Sequence, residues 1–195
     1  MCESCAQLTG CCTNSAKVSL LEHIDLQQVN CLNESGDHTF SSIVAGKALN
    51  TSTTHLLSDA DEQLLLNIPF HQTVRVRALV IKSSGGEQAP KRVKLFVNRP
   101  SLGFDDVQDA EEPEAAQVLD ISEEDVKSGR PIPLRFVRFQ TVTSLHARRV
   151  HCRMLVRVLT GPQIFVFSNQ GEAEETRIDA VDFLGVTAEC VRSRP

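Results

Sequence analysis

The chain has 195 residues, 25 Asp and Glu against 20 Lys and Arg, and a formal net charge of -5. Its length admits one domain of ordinary size plus tails, and 41% hydrophobic with 23% charged residues is the balance of a soluble globular protein, not a disordered one. The acidic balance argues against nucleic acid as a partner, because binding phosphates relies on Lys and Arg, and no run nears the roughly 18–20 apolar residues that span a bilayer.

The opening stretch "MCESCAQLTGCC" has no basic region leading into an apolar one, so no secretory signal is read there. The seven Cys are then expected to be reduced thiols of a protein of the cytoplasm and nucleus. Residues 1–18 are expected to be a disordered, Cys-rich tail. Cys2, Cys5, Cys11 and Cys12 suggest a four-thiolate metal site, but Cys11 and Cys12 are adjacent, and neighbours rarely reach one tetrahedral ion together. No metal or cofactor is expected.

"SLLEHIDLQQV" (residues 19–29) opens with a capping-box pattern, Ser19 followed by Glu22, and predicts one short helix or a few turns at most. From Gln63 onward the period changes. "QLLLNIPF" is a short apolar run, and "VRVRALVI" (74–81), "RVKLFVN" (92–98), "LRFVRFQ" (134–140), "QIFVFSN" (163–169) and "RIDAVDFLGV" (177–186) are β-branched or Phe-rich runs of strand length. "SSGGEQAP", "NRPSLG", "SGRPIP" and "SNQGE" separate them as turns. "SEEDVKSG" (122–129) predicts one capped helical turn. Many short strands without βαβ alternation predict an all-β, antiparallel β-sandwich with one or two short helices.

Chemistry-bearing residues are sparse. Nine Phe with no Trp or Tyr suit a core better than a sugar- or base-stacking platform. "SDADE" (58–62) lacks calcium-loop spacing and is expected to be a polar turn in which Ser58 or Asp59 bonds nearby backbone. His23, His38, His55 and His71 show no metal spacing, and no nucleophile motif or phosphate loop is present. Cys31 is expected to be packed and inert. The clearest polar feature is "GFDDVQDAEEPEAAQ", which puts Asp105, Asp106, Asp109, Glu111, Glu112 and Glu114 within ten residues.

"CLNES" (31–35), "LLSDADEQLLLNIPF" (56–70), "VKLFVNRPSLGFDD" (93–106), "PLRFVRFQ" (133–140) and "SNQGEAEETRIDAVDFLGV" (168–186) together resemble the PITH domain. This module follows thioredoxin in proteasome-interacting thioredoxin-like proteins and also occurs alone. The resemblance implies a jelly-roll sandwich similar to galactose-binding-like domains over residues 19–186, with 187–195 as a tail. It also implies association with the proteasome regulatory particle. No thioredoxin domain is expected before the resembling part, and no strand or helix pattern is read around Cys2-Glu-Ser-Cys5 of the kind a redox site needs, so redox activity is not carried over.

Residues 146–162 depart from the family pattern, in which the strands on either side join by a short link. They carry Arg148, Arg149, Arg153 and Arg157 and no acid. They can be read as a long surface loop, as a basic recognition segment, or as a retained intron, the reading preferred here because the composition breaks at both borders. The expected protein is a non-enzymatic, monomeric interaction module. Its contacts are expected from Asn98, Asp105, Asp106, Asp109, Glu111, Glu112, Asn169 and Glu172, on the loops at 98–114 and 169–175. A lectin-like sandwich and a thiol-redox accessory protein are the alternatives.

Overall fold

The computed structural model of the chain describes residues 18–99, 102–135, 137–142 and 161–187. Eleven strands run through them: β1 (Val18–Ser19), β2 (Asn30–Leu32), β3 (Leu56–Leu57), β4 (Leu64–Asn67), β5 (Val74–Lys82), β6 (Pro90–Val97), β7 (Gln117–Asp120), β8 (Ile132–Pro133), β9 (Pro162–Asn169), β10 (Arg177–Ile178) and β11 (Ala180–Thr187). Three short helices accompany them: α1 (Phe40–Val44), α2 (Phe104–Val107) and α3 (Glu123–Ser128). A four-stranded sheet in the order β1-β11-β5-β8 faces a five-stranded sheet in the order β2-β4-β9-β6-β7, and β10 pairs with β3 beside them. All the pairings are antiparallel.

Period-two alternation explains which faces meet, with one offset in β5, where an irregularity opposite Leu184 and Gly185 moves the inward positions from Val76 to Leu79. Leu64 and Leu66 of β4, Val93 and Leu95 of β6, and Ile164 and Val166 of β9 point inward. They pack against Val74, Val76, Leu79 and Ile81 of β5 and Val181 and Phe183 of β11. The predicted all-β, antiparallel jelly-roll sandwich is thus the observed architecture. Among the described residues no helix is long and apolar enough to cross a membrane.

The capped turn at 122–129 forms as predicted. Ser122 accepts from the Asp125 amide (3.2 Å), and Gly129 closes α3 with φ 66°, a left-handed value that a side chain would strain. Two other expectations need correction. Residues 19–29 do not form a capped helix: only Leu21–His23 make a 3-10 turn. Ser19 lies in β1, where its hydroxyl donates to Asp182 Oδ1 (2.8 Å) and accepts from the Leu21 amide (3.3 Å). Nor do residues 134–140 form a strand. A continuous strand would put Leu134 and Phe139 on opposite faces, whereas both are buried in the one core. A turn at 137–139 makes this possible, with the Leu134 amide donating to the Arg77 carbonyl (2.9 Å) and the Val76 amide to the Phe139 carbonyl (3.1 Å).

The borders of the basic segment also shift. Residues 143–160 lie outside the described residues, as do 1–17 with their Cys cluster. Gly161 and Pro162 were placed inside the insert by sequence but belong to the sandwich. Pro162 opens β9 opposite Val97, and its carbonyl accepts from the Ile68 amide (3.1 Å). Gly161 lies so close to Ile68 that an added Cβ would stand 2.4 Å from the Ile68 carbonyl oxygen. Only a residue without a side chain fits.

Candidate interaction surface

Strand β6 turns Val93 and Leu95 into the core and Arg92, Lys94 and Phe96 to the outer side of its sheet. A strand face carrying two cations ordinarily meets water. Here residues 102–116 lie across it. Val107, Ala110 and Ala115, with half-buried Leu102 and Phe104, pack on Leu65, Phe96, Phe165 and Phe167 as a second apolar cluster. Phe104 meets Phe165 edge to face at 6.0 Å between centroids, and Phe165 meets Phe167 at 6.1 Å. Lys94 is left only 2% exposed. Its ammonium donates to the Gln108 carbonyl (2.8 Å), pairs with Glu111 (3.3 Å) and sits 5.0 Å from the Phe167 ring centroid. A buried ammonium needs such partners.

The predicted contact residues of this loop therefore divide. Asp105 and Asp109 are exposed. Asp106 accepts from the Gly103 amide (2.9 Å) and opens α2. Glu111 is shared between Lys94 and Arg92, the latter at 3.1 Å. Glu112 takes a hydrogen bond from Arg135 and another from the Val118 amide (3.2 Å). The Arg135 bond first, then the amide, hold its carboxyl below the usual carboxylate range. Arg135 also donates its own amide to Gln117 Oε1 (2.8 Å), so Glu112, Gln117 and Arg135 clasp the edges of the two sheets where β7 and β8 lie. The Asn98 amide donates to the Thr141 carbonyl (2.7 Å) from a backbone with φ 55°.

The second predicted loop packs elsewhere. Because β6 and β9 are antiparallel, pairing Pro90 with Asn169 and Val97 with Pro162, the two loops leave opposite ends of the pair. Asn169 is 1% exposed, which corrects its placement as a contact residue: its side chain is spent inside the turn. Its amide donates to the carbonyls of Ala173 (2.7 Å) and Glu175 (3.1 Å), and its oxygen accepts from the Ala173 amide (3.0 Å). Glu172 stands exposed at φ 54°.

This turn is stapled to residues 58–62. The Thr176 amide donates to Ser58 Oγ (2.8 Å), and the Thr176 hydroxyl donates to the Glu62 carbonyl (2.7 Å). Ser58 bonds backbone as expected, but not nearby: its partner is Thr176, which precedes β10 and lies 118 positions away. Within the turn it is Asp61, not Asp59, that accepts, from the Gln63 amide (2.9 Å) and from Asn33 (2.8 Å). Asp59, Asp61, Glu62, Glu174 and Glu175 line an open cleft of about 360 Å³. Sequence reading missed that cleft, since its two halves lie over a hundred positions apart. It missed the Lys94 anchor too, because an outward lysine on an alternating strand gives no sign of being covered.

The described residues hold no group of three His, Cys, Asp or Glu side chains arranged for a metal ion. Burial first, then the nearby Glu34 charge, raise the Cys31 thiol far above its ordinary range, so Cys31 is no thiolate nucleophile. Every Phe whose side chain is described is buried or half-buried, leaving no aromatic platform on the described surface. Among the described residues the large exposed hydrophobics are three scattered ones, Val18, Leu49 and Val137.

The fold is a β-sandwich whose loops carry charged side chains. Comparison with known proteins gives the family. The PITH domain profile matches residues 11–147, and the chain belongs to the PITH domain family. Thioredoxin-like protein 1 of Schizosaccharomyces pombe is 38% identical over 172 residues, covering 86% of this chain and 51% of that protein. PITH domain-containing protein 1 of Danio rerio is 34% identical over 133 residues, covering 67% of this chain and 61% of its own length. The chain thus spans about half to three fifths of these curated relatives. Among solved structures, a CBM32 module of a Clostridium perfringens family 31 glycoside hydrolase aligns with TM-score 0.48 at 12% identity, covering 84% of this chain and 96% of that one. The family supports a non-catalytic interaction module. The profile match stops at residue 147, although β9, β10 and β11 complete the same sandwich from Pro162 onward.

Proposed function

We propose that this chain is a non-enzymatic docking module for a large protein assembly, and that the assembly is the proteasome regulatory particle. Membership of the PITH family carries the reading; the proteasome enters through the family resemblance. The geometry supports a polar, carboxylate-led contact. Exposed apolar side chains are scattered, whereas Asp105, Asp109 and Glu114 on one loop and Glu172 and Glu174 on the other face solvent. Glu111 and Glu112 are consumed by Arg92, Lys94 and Arg135, and belong to the scaffold rather than the contact. Exposed acids of this kind steer association with a basic partner and weaken in salt.

The test is to tag the protein at its own locus, purify it gently and identify what is recovered by tryptic mass spectrometry. Regulatory-particle subunits at near-stoichiometric amounts are expected, and they should fall when Asp105, Asp109 and Glu114 are changed to Lys. An intact, folded chain recovered without them overturns the reading. The same digest tests residues 146–162: the peptide "FQTVTSLHAR" (139–148) is found if the basic segment is translated, and its absence from otherwise complete coverage supports a retained intron.

A further inference from the structure

The outer face of the five-stranded sheet presents Arg92 and Lys94 beside Leu65, Phe96, Phe165 and Phe167. A permanently sealed face would be built more simply from apolar side chains, since covering an ammonium costs its hydration. A face that is sometimes uncovered needs cations to stay soluble, and those cations select carboxylates. In the structure the carboxylates come from the chain itself. Residues 102–116 bring Phe104 and Val107 to the aromatic strip, and the Gln108 carbonyl and Glu111 carboxylate to Lys94.

This cover is separable from the sandwich. Up to Ala115 its apolar contacts form a cluster of their own, and only Ala116, where the chain rejoins the sheet, belongs to the main core. Among the described residues its backbone hydrogen bonds are local: Asp106 to Gly103, Gln108 to Phe104, and Glu114 and Ala115 to Glu111. The ladder resumes only where the Ala116 amide meets the Leu95 carbonyl (2.7 Å). Among the described residues, what holds it down is chiefly Lys94 with Glu111 and the Gln108 carbonyl, Arg92 with Glu111, and Arg135 and the Val118 amide with Glu112.

We propose that residues 102–116 are a displaceable acidic strap, and that lifting it uncovers a docking face for a partner segment of like chemistry, carrying carboxylates interleaved with apolar side chains. The strap is an intramolecular occupant of that face, and a partner segment competes with it. The mechanism does not depend on which assembly the chain joins.

The test uses the full chain with Glu111→Gln, which leaves the Lys94 ammonium covered without its carboxylate. Hydrogen exchange at Gln108, Glu114 and Ala115 should accelerate by about tenfold while the β6–β9 ladder stays protected. Adding Lys94→Met removes the covered charge and should restore protection. A synthetic peptide of residues 102–116 should bind the Glu111→Gln chain about tenfold more tightly than the wild type, whose own strap competes. Strap amides that exchange together with the ladder, or that are unchanged by Glu111→Gln, overturn the strap. A Glu111→Gln chain that opens but does not bind the peptide overturns the docking face.

Discussion

Two acidic stretches that look alike in sequence are put to opposite uses. At 105–114 the carboxylates lie over a basic sheet face, where Glu111 and Glu112 are neutralised by Arg92, Lys94 and Arg135. At 172–175 the turn is held by amides and hydroxyls instead, through Asn169, Ser58 and Thr176, and its Glu174 and Glu175 line an open cleft. The difference teaches that a charge run says how much charge a loop carries, not whether that charge is free. What lies beneath decides: a strand face with two cations in one case, a satisfied neutral network in the other.

Breaking each region at its anchor gives the largest effects. Phe165 links the strap to the sheet and is fully buried, so Phe165→Ala should cost about 3–5 kcal/mol in urea unfolding. Asn169→Ala strips three hydrogen bonds to the backbone of the other turn and a fourth to the Thr176 hydroxyl, leaving part-buried backbone groups unpaired, at about 2–3 kcal/mol by the same measurement.

Titration sharpens the contrast. Arg135 depresses the Glu112 carboxyl in the folded state, so its stabilisation is present above the unfolded carboxylate pKa, about 4.3, and disappears as pH falls through the folded value. Glu112→Gln should therefore lower the melting temperature at neutral pH and converge with wild type only as pH falls below the depressed pKa of the folded carboxyl. Asp182 behaves oppositely. Burial raises its carboxyl despite bonds from Ser19 and the Phe183 amide, and a raised acid loses stability as pH climbs through that value. Asp182→Asn keeps the acceptor for Ser19, so it should melt higher than wild type at pH 7, the gap closing toward about pH 4. The smallest effect is expected where charge is free: Asp105→Lys, Asp109→Lys or Glu172→Lys should each shift stability by no more than about 0.5 kcal/mol.

The long strands were legible because alternation over eight or nine residues is a local signal: β5, β6, β9 and β11 lie where Val, Ile and Phe recur on one face. Two-residue strands such as β3 and β10 exist only because a partner pairs with them, so nothing in "LL" or "RI" marks them. The turn at 137–139 escaped notice for a related reason, since it is the demand of Leu134 and Phe139 for one core that bends the chain.

The acids at 105–114 and at 172–175 were visible as loops, but which of them are free was not. Glu111 meets Lys94 because of the β6 register and the return of the chain over the sheet. Glu62 and Glu175 are brought to one cleft by the β3–β10 pairing and the Ser58–Thr176 bonds. The sequence by itself determined the all-β class, the positions of the long strands and the supply of charge, because alternation and turn chemistry act over neighbouring residues. Only the tertiary structure decided which charges are covered and which are offered, because that depends on residues tens to more than a hundred positions away meeting across a sheet.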